Sequence, residues 1–314
     1  MNASVDRFAE PGRLSWPVRA LVRLPWGLKR RILSNPTAWR VYAALCRRLG
    51  WNENALGVHR ASNGPFAGIA VRATHTNHLW APMGGYEPDV SDWAARAFAN
   101  PAWFGANRDI YDVGAYVGLM ALFFARYADR VAAFEPSPAN REALQKNLNL
   151  NLTLAGKIDV FPVAVSDRIG SVEMTSAGLQ ATNQLKTEGV RLWEDAEALP
   201  VTPTETKPLD ALLDEAVNGR PWRPGFIKID VEGAEALVLA GATETLRRFR
   251  PSLLIETHNE EACDAVFDAL RGSDYAVFRF ESGRLRSGGP WSGGYGHVAA
   301  LPTERANAPG VMNP

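Results

Sequence analysis

Residues 109–118, Asp-Ile-Tyr-Asp-Val-Gly-Ala-Tyr-Val-Gly, constrain this chain more than any other stretch. An apolar strand runs into a glycine turn and on into apolar helix sequence, and a second strand, Val131-Ala-Ala-Phe134, ends in Glu135. Strand, turn, helix and strand in that order build a doubly wound parallel sheet, whose ligand crevice lies at the carboxyl ends of the strands. Glu135 comes 21 residues after Gly114, close to the offset of roughly 20 at which an acid on the neighbouring strand accepts hydrogen bonds from both ribose hydroxyls. The spacing predicts a pocket for a nucleoside.

The turn also narrows the choice of nucleoside. A dinucleotide site reads G-x-G-x-x-G, the middle glycine making room for pyrophosphate at a helix N-terminus. Here the turn reads Asp112-x-Gly114-Ala115-Tyr116-x-Gly118, so one glycine is missing and an acid and a tyrosine crowd the place of phosphate charge. A nicotinamide-dependent oxidoreductase is thereby disfavoured. The sequence has no G-x-x-x-x-G-K-[ST], which disfavours nucleoside triphosphates. A nucleoside with no phosphate and a positive centre, S-adenosylmethionine, fits Asp112 and Glu135 better.

At 46% hydrophobic, the 314 residues can bury a substantial core. The formal net charge of zero hides an asymmetry: residues 1–50 carry ten Lys/Arg against two Asp/Glu, and the rest carry 24 against 32. Helices broken by Pro17, Pro25 and Pro36 are expected between Leu14 and Leu49. Leu21, Leu24, Leu28 and Ile32 recur there at helical spacing among Arg19, Arg23, Lys29, Arg30 and Arg31, with Trp16, Trp26 and Trp39 adding bulk. Such a segment can lie peripherally on an anionic membrane or grip an acidic partner; a helical cap with solvated arginines is an equal reading. Nucleic acid is not an expected partner, because the basic patch does not extend further.

Cys46 and Cys263 form no C-x-x-C, and His75 with His78 lacks a third ligand. Neither a disulfide framework nor a metal site is expected, and the setting reads as cytoplasmic. No apolar run reaches transmembrane length. An irregular connector, 50–108, with a short helix at 92–99, precedes the regular part. There the pattern predicts strands at 109–113, 131–135, 158–163, 171–175, 226–231, 252–256, 275–280 and 297–301. Helices are expected at 117–128, 138–149, 234–248, 260–270 and from Leu209, with a long polar link over 176–207.

Five segments carry a family resemblance: Asp112-Val-Gly-Ala-Tyr-Val-Gly, Phe134-Glu-Pro-Ser-Pro, Ala164-Val-Ser-Asp, Lys228-Ile-Asp-Val-Glu-Gly-Ala-Glu and Leu254-Ile-Glu-Thr-His. In order and spacing, over about residues 84–302, they resemble the FkbM family of S-adenosylmethionine-dependent methyltransferases. Tyr116 stands where that family commonly has asparagine. The resemblance implies an α/β, Rossmann-like seven-stranded methyltransferase sheet with its last strand antiparallel, carrying an N-terminal helical extension. It implies O-methylation of a hydroxyl on a small-molecule or glycan acceptor, namely a saccharide, glycolipid or secondary metabolite. Three parts follow: a basic helical extension and connector at 1–78, the methyltransferase domain at 79–305 and a flexible tail at 306–314. By the same resemblance Asp112, Gly114, Ala115, Tyr116 and Gly118 wrap the methionine moiety, Glu135 binds the ribose beside Pro136 and Ser137, and Ser166 with Asp167 caps the adenine. A non-catalytic binding protein on a degenerate methyltransferase fold is opposed by the intact Asp112, Glu135, Asp230 and Glu232.

The strand 226–231 is apolar except for Lys228 and Asp230, which alternation places on one side. Charge at the tip of a buried strand is costly unless paired. Glu235 opens a helix and reads as a favourable N-terminal acid. In the strand order implied by the resemblance, 252–256 lies beside 226–230. Lys228, Asp230, Glu232, Glu256 and His258 then form one catalytic cluster, with Asp230 also facing the cofactor. Methyl transfer needs an aligned acceptor and a group to take its proton. His258 or Asp230 is the expected base, with His258 favoured because an unperturbed imidazole titrates near pH 6.5.

Overall fold

A computed structural model describes residues 23–33, 35–48, 57–72, 86–176, 179, 181–193, 196–213 and 220–311. The chain divides into two compact units, one drawn from Met1–Ala95 with Asn149–Asn151, the other from Arg96–Leu148 with Leu152–Pro314. The division falls within a helix, and residues 149–151 join the first unit, where the Asn151 side chain exchanges hydrogen bonds with the backbone of Ala70.

The first unit contains α1 (Trp26–Leu33), α2 (Pro36–Arg48), an antiparallel pair β1 (Val58–Arg60) and β2 (Ala70–Arg72), and most of α3 (Pro88–Ala97). Part of its basic charge is turned inward. Lys29 is buried, which lowers its pKa to about 8. Arg30 pairs with Asp89 at 3.3 Å and Asp92 at 2.9 Å, and the Trp26 indole donates to Asp92 at 3.1 Å. Arg23, Arg31, Arg40 and Arg48 remain exposed, as do Leu28, Val41 and Leu45. Trp16, Arg19, Leu21, His75 and His78 lie outside the described residues. Among the described residues no helix is long and apolar enough to cross a membrane.

The second unit runs β3 (Asp109–Val113), α4 (Leu119–Phe124), β4 (Arg130–Phe134), α5 (Pro138–Asn149), α6 (Leu152–Ala155) and β5 (Ile158–Phe161). Then follow β6 (Ala164–Val165), β7 (Gly170–Thr175), β8 (Leu185–Lys186), β9 (Val201–Lys207), α7 (Leu209–Leu212) and β10 (Pro224–Ile229). The chain closes with α8 (Glu235–Ala240), α9 (Thr243–Phe249), β11 (Ser252–His258), α10 (Glu260–Leu270), β12 (Tyr275–Glu281), β13 (Arg284–Ser287), β14 (Tyr295–Pro302) and α11 (Thr303–Ala306). An eight-stranded sheet has the order β13-β12-β14-β11-β10-β3-β4-β5. β5, β4, β3, β10 and β11 are parallel, while β14 runs antiparallel between β11 and β12. β3, β10 and β11 are buried along their whole length, as covered parallel strands must be.

Seven of these strands make the expected sheet; the eighth, β13, is an edge return from β12. Its two-residue loop, Ser282 and Gly283, has φ of 49° and 77°, the positive pair that a type I′ hairpin requires. A second sheet, β6-β9-β7-β8, contains the strand expected at 171–175 as β7 and draws β8 and β9 from the region read as a polar link. β9 buries Thr204 and Thr206, so its inward face is β-branched yet polar and gives no apolar alternation. The helix expected over 234–248 divides after Ala240. Asp210 caps the second piece, accepting from Glu244 N at 2.8 Å and Thr245 N at 2.7 Å. The residues after 306 are not a free tail as far as 311: Val311 is buried, and Asn100 donates to Pro309 O at 2.9 Å.

Candidate active site

The strand order reverses between β3 and β10, and the turns that follow these strands meet. Asp230 N donates to Val113 O at 3.0 Å, while Gly114 N and Ala115 N donate to Phe134 O at 3.0 and 2.9 Å. Gly114 has φ +84°, and a Cβ there would stand 1.7 Å from the Asp230 carbonyl oxygen. Only glycine permits that contact. Gly118 (φ 79°) and Tyr116 (φ 50°) also lie in the left-handed region. Asparagine tolerates that conformation better than other side chains, so the expected asparagine at position 116 has a backbone reason. Asp112 is buried beneath the turn.

Glu135 follows β4 and is buried. Its Oε2 accepts from Tyr116 N at 2.8 Å; its Oε1 accepts from Ser137 N at 2.9 Å and Asn140 Nδ2 at 3.2 Å. Burial pushes the carboxyl up to about 7 against the pull of those hydrogen bonds. A carboxylate offers about four acceptor positions, and three are occupied. The position that remains is on Oε2, so a ribose would be met through one oxygen rather than both. Arg141 donates to the carbonyls of Glu135 and Pro136 and fixes the start of α5. Ser166 and Asp167 follow β6; Ser166 Oγ donates to Asp167 Oδ1 at 3.1 Å, and Arg168 pairs with Oδ2 at 3.2 Å.

The five residues of the expected polar cluster come together at the tips of β10 and β11. Lys228 Nζ donates to Asp230 Oδ2 at 2.7 Å. His258 Nε2 stands 3.4 Å from Asp230 Oδ1 and 3.5 Å from Glu232 Oε2. Glu256 lies 3.4 Å from His297 Nε2. Glu232 has φ +57°, which turns its side chain back toward His258. The Asp230 carboxyl is held below its ordinary value: burial opposes ionisation, but the Lys228 and His258 charges outweigh it. Burial raises the Glu232 carboxyl to about 7.

Glu235 corrects its reading as a helix-end acid. It is fully buried, and its Oε1 lies 3.0 Å from His258 Nδ1 while accepting Gly233 N at 2.9 Å. Burial alone would lower the imidazole, but the Glu235 hydrogen bond and the charges of Glu232 and Asp230 push it up to about 9. His258 is therefore not an imidazole near its ordinary pKa, and the expectation of a free base at neutral pH is not met. Trp193, Gln184 and Tyr295 escaped the sequence reading altogether. The Trp193 indole donates to Glu232 Oε2 at 3.3 Å. Gln184 donates to Glu232 O at 2.7 Å and accepts from Trp193 N at 2.7 Å, tying two loops together. The Trp193 and Tyr295 rings flank His258 edge-on, at 6.3 and 5.9 Å between centroids. Two of these residues lie in the supposed polar link, and no local pattern marks them. Asp230, Glu256 and His258 each offer a possible ligand atom, and these atoms lie within 4.8 Å of one another.

A doubly wound sheet with β14 reversed, a glycine turn at the switch point and an acid on the next strand define a Rossmann-like methyltransferase fold. The family model for the methyltransferase FkbM domain matches residues 112–279, and the chain belongs to that family. It is 29% identical over 187 residues to methyltransferase sdnD of Sordaria araneosa, covering 52% of this chain and 72% of that one. It is also 29% identical over 191 residues to the 31-O-demethyl-FK506 methyltransferase FkbM of Streptomyces tacrolimicus, covering 54% and 72%. Among solved structures, a methyltransferase FkbM from Methylobacillus flagellatus matches at TM-score 0.41 and 16% identity, covering 85% of this chain and 71% of that one.

Proposed function

We propose that this protein transfers a methyl group from S-adenosylmethionine to a hydroxyl of a saccharide, glycolipid or secondary metabolite. The observation that carries the reading is the Gly114 turn seated on the Asp230 carbonyl, with Glu135 on one side and the carboxylate–histidine cluster on the other. The open lone pair of Glu135 and the acids around the turn suit a ribose and a cationic centre and repel phosphate. The relative from Streptomyces tacrolimicus bears an O-methyltransferase name, which supports oxygen as the acceptor atom. When bound, the cofactor supplies an electrophilic methyl group.

The chain's residues then orient the acceptor and remove its proton. Three of the cluster's carboxylates are engaged: Asp230 by Lys228, Glu235 by His258 and Gly233, and Glu256 by the Tyr295 hydroxyl. Glu232 takes the proton in place of His258, because its carboxylate carries a single hydrogen bond among the described residues, from the Trp193 indole. The part-exposed rings of Trp193 and Tyr295 offer apolar walls to the acceptor. Incubation with trideuteromethyl-labelled S-adenosylmethionine and a panel of polyhydroxylated acceptors tests the reaction. A gain of one labelled methyl group on oxygen is expected; transfer to nitrogen or carbon alone contradicts it.

The raised Glu135 carboxyl gives a pH dependence. A protonated carboxyl is a poorer acceptor, so affinity for S-adenosylhomocysteine should fall as pH drops below about 7. Stability runs the other way: the folded state holds this proton more tightly than the unfolded chain, so stability declines as pH rises toward about 7. Calorimetric titrations and melting curves across pH 5–9 check both slopes, and Glu135→Gln should flatten them.

In the first unit, exposed Leu28, Val41 and Leu45 among Arg31, Arg40 and Arg48 support peripheral contact with an anionic membrane. Full-length protein should pellet with anionic vesicles in a salt-sensitive way, and Arg40→Glu with Arg48→Glu should reduce the bound fraction severalfold. Equal pelleting of wild type and variant, or none, contradicts this.

A further inference from the structure

The cluster at the tips of β10 and β11 has more negative groups than its internal partners balance. Asp230, Glu232, Glu235 and Glu256 converge on one lysine, Lys228, and two imidazoles, His258 and His297. All four carboxylates are shielded from solvent, with side-chain exposures of 17, 12, 0 and 10%. Charge at that depth requires a compensating partner. Lys228 donates to Oδ2 of Asp230, and Oδ1 is turned toward His258.

The imidazole is set up as a ligand. His258 is 5% exposed, and Glu235 holds its Nδ1, so Nε2 is the nitrogen presented to the cluster. There it stands 3.4 Å from Asp230 Oδ1 and 3.5 Å from Glu232 Oε2, both too long for a hydrogen bond of ordinary length. Two donors bonded at about 2.1 Å to one tetrahedral ion stand about 3.4 Å apart. A buried carboxylate on the other ring nitrogen is the usual support of a metal-binding histidine, fixing its tautomer and its aim.

From this geometry we propose that Asp230, Glu256 and His258 form a divalent-cation site, with Glu235 orienting His258 from behind. Two carboxylate oxygens and one imidazole suit Mn²⁺, Co²⁺ or Zn²⁺, and the set contains no soft sulfur ligand. Three protein ligands leave room for an oxygen of the acceptor. The role rests on the methyl-transfer reading: a cation there would polarise the acceptor hydroxyl and ease loss of its proton to Glu232.

The test uses full-length protein stripped with a chelator and titrated with Mn²⁺ alone, followed by electron paramagnetic resonance and, in parallel, by calorimetry with Zn²⁺. One equivalent should bind. Asp230→Asn and Glu256→Gln should each weaken binding more than tenfold, and Glu235→Gln, which keeps the shape but not the charge, by about 10–100-fold. Glu256→Gln retains the Lys228 pairing of Asp230 and guards against misfolding of the other variant, with melting curves as the check. No binding of either ion by the wild type, or binding that all three substitutions leave unchanged, overturns the site. S-adenosylhomocysteine titrated into the same samples separates this outcome from failure of the cofactor reading.

Discussion

Glu232→Gln is expected to lower turnover by about 10²–10⁴-fold while leaving affinity for S-adenosylhomocysteine within a few-fold. The substitution keeps the size of the side chain and its contact with the Trp193 indole, and removes the capacity to take a proton. A loss confined to kcat identifies an interaction made in the transition state, whereas an equal rise in KM would identify ground-state binding of the acceptor. Glu232→Asp should recover part of the rate, since the carboxylate is retained at a shorter reach. Wild-type turnover in Glu232→Gln would assign the proton to another group of the cluster.

Gly114→Ala should be the most damaging single change to the site. Its Cβ would stand 1.7 Å from the Asp230 carbonyl oxygen at a φ of +84°, so the turns after β3 and β10 must separate. The left-handed conformation alone costs about 1–2 kcal/mol for an alanine. Gly189 serves as the control, having φ +83° with nothing within 4 Å of the added Cβ. Gly189→Ala should therefore show the conformational cost by itself. Gly114→Ala should lose about 2–4 kcal/mol of stability and weaken cofactor binding beyond a hundredfold. Equal melting temperatures for the two variants would mean that the turns do not depend on their contact.

The central sheet was legible because β3, β4, β10 and β11 are short apolar runs punctuated by glycine and acid, and fully buried strands must read that way. Lys228 and Asp230 were legible as a pair because strand alternation is local and their neighbours are apolar. β9 was not legible, since threonines at 204 and 206 supply its buried face. The edge strand β13 depended on a Ser-Gly turn whose signal is weaker than Asn-Gly. Within the site, the Glu235–His258 hydrogen bond joins residues 23 apart, and the Trp193–Glu232 contact joins residues 39 apart. The second contact arises where the second sheet packs on the start of α8, through Met174, Leu185, Ala164 and Ala234, and neither pair carries a mark in its own surroundings.

The imidazole illustrates the same limit. Its sequence context gives an ordinary histidine, but tertiary packing surrounds it with Asp230, Glu232 and Glu235 and raises its pKa to about 9. The chemistry expected of a residue type thus changed with neighbours that no spacing rule connects to it.

Calorimetric titration of the full chain with S-adenosylhomocysteine, beside NADH, tests the central claim most directly. One equivalent of S-adenosylhomocysteine and no NADH should bind, with Glu135→Ala weakening binding by about ten- to a hundredfold through loss of a charge-assisted hydrogen bond of about 1.5–3 kcal/mol. Binding of NADH with no heat from S-adenosylhomocysteine, or an affinity unchanged in Glu135→Ala, would contradict it.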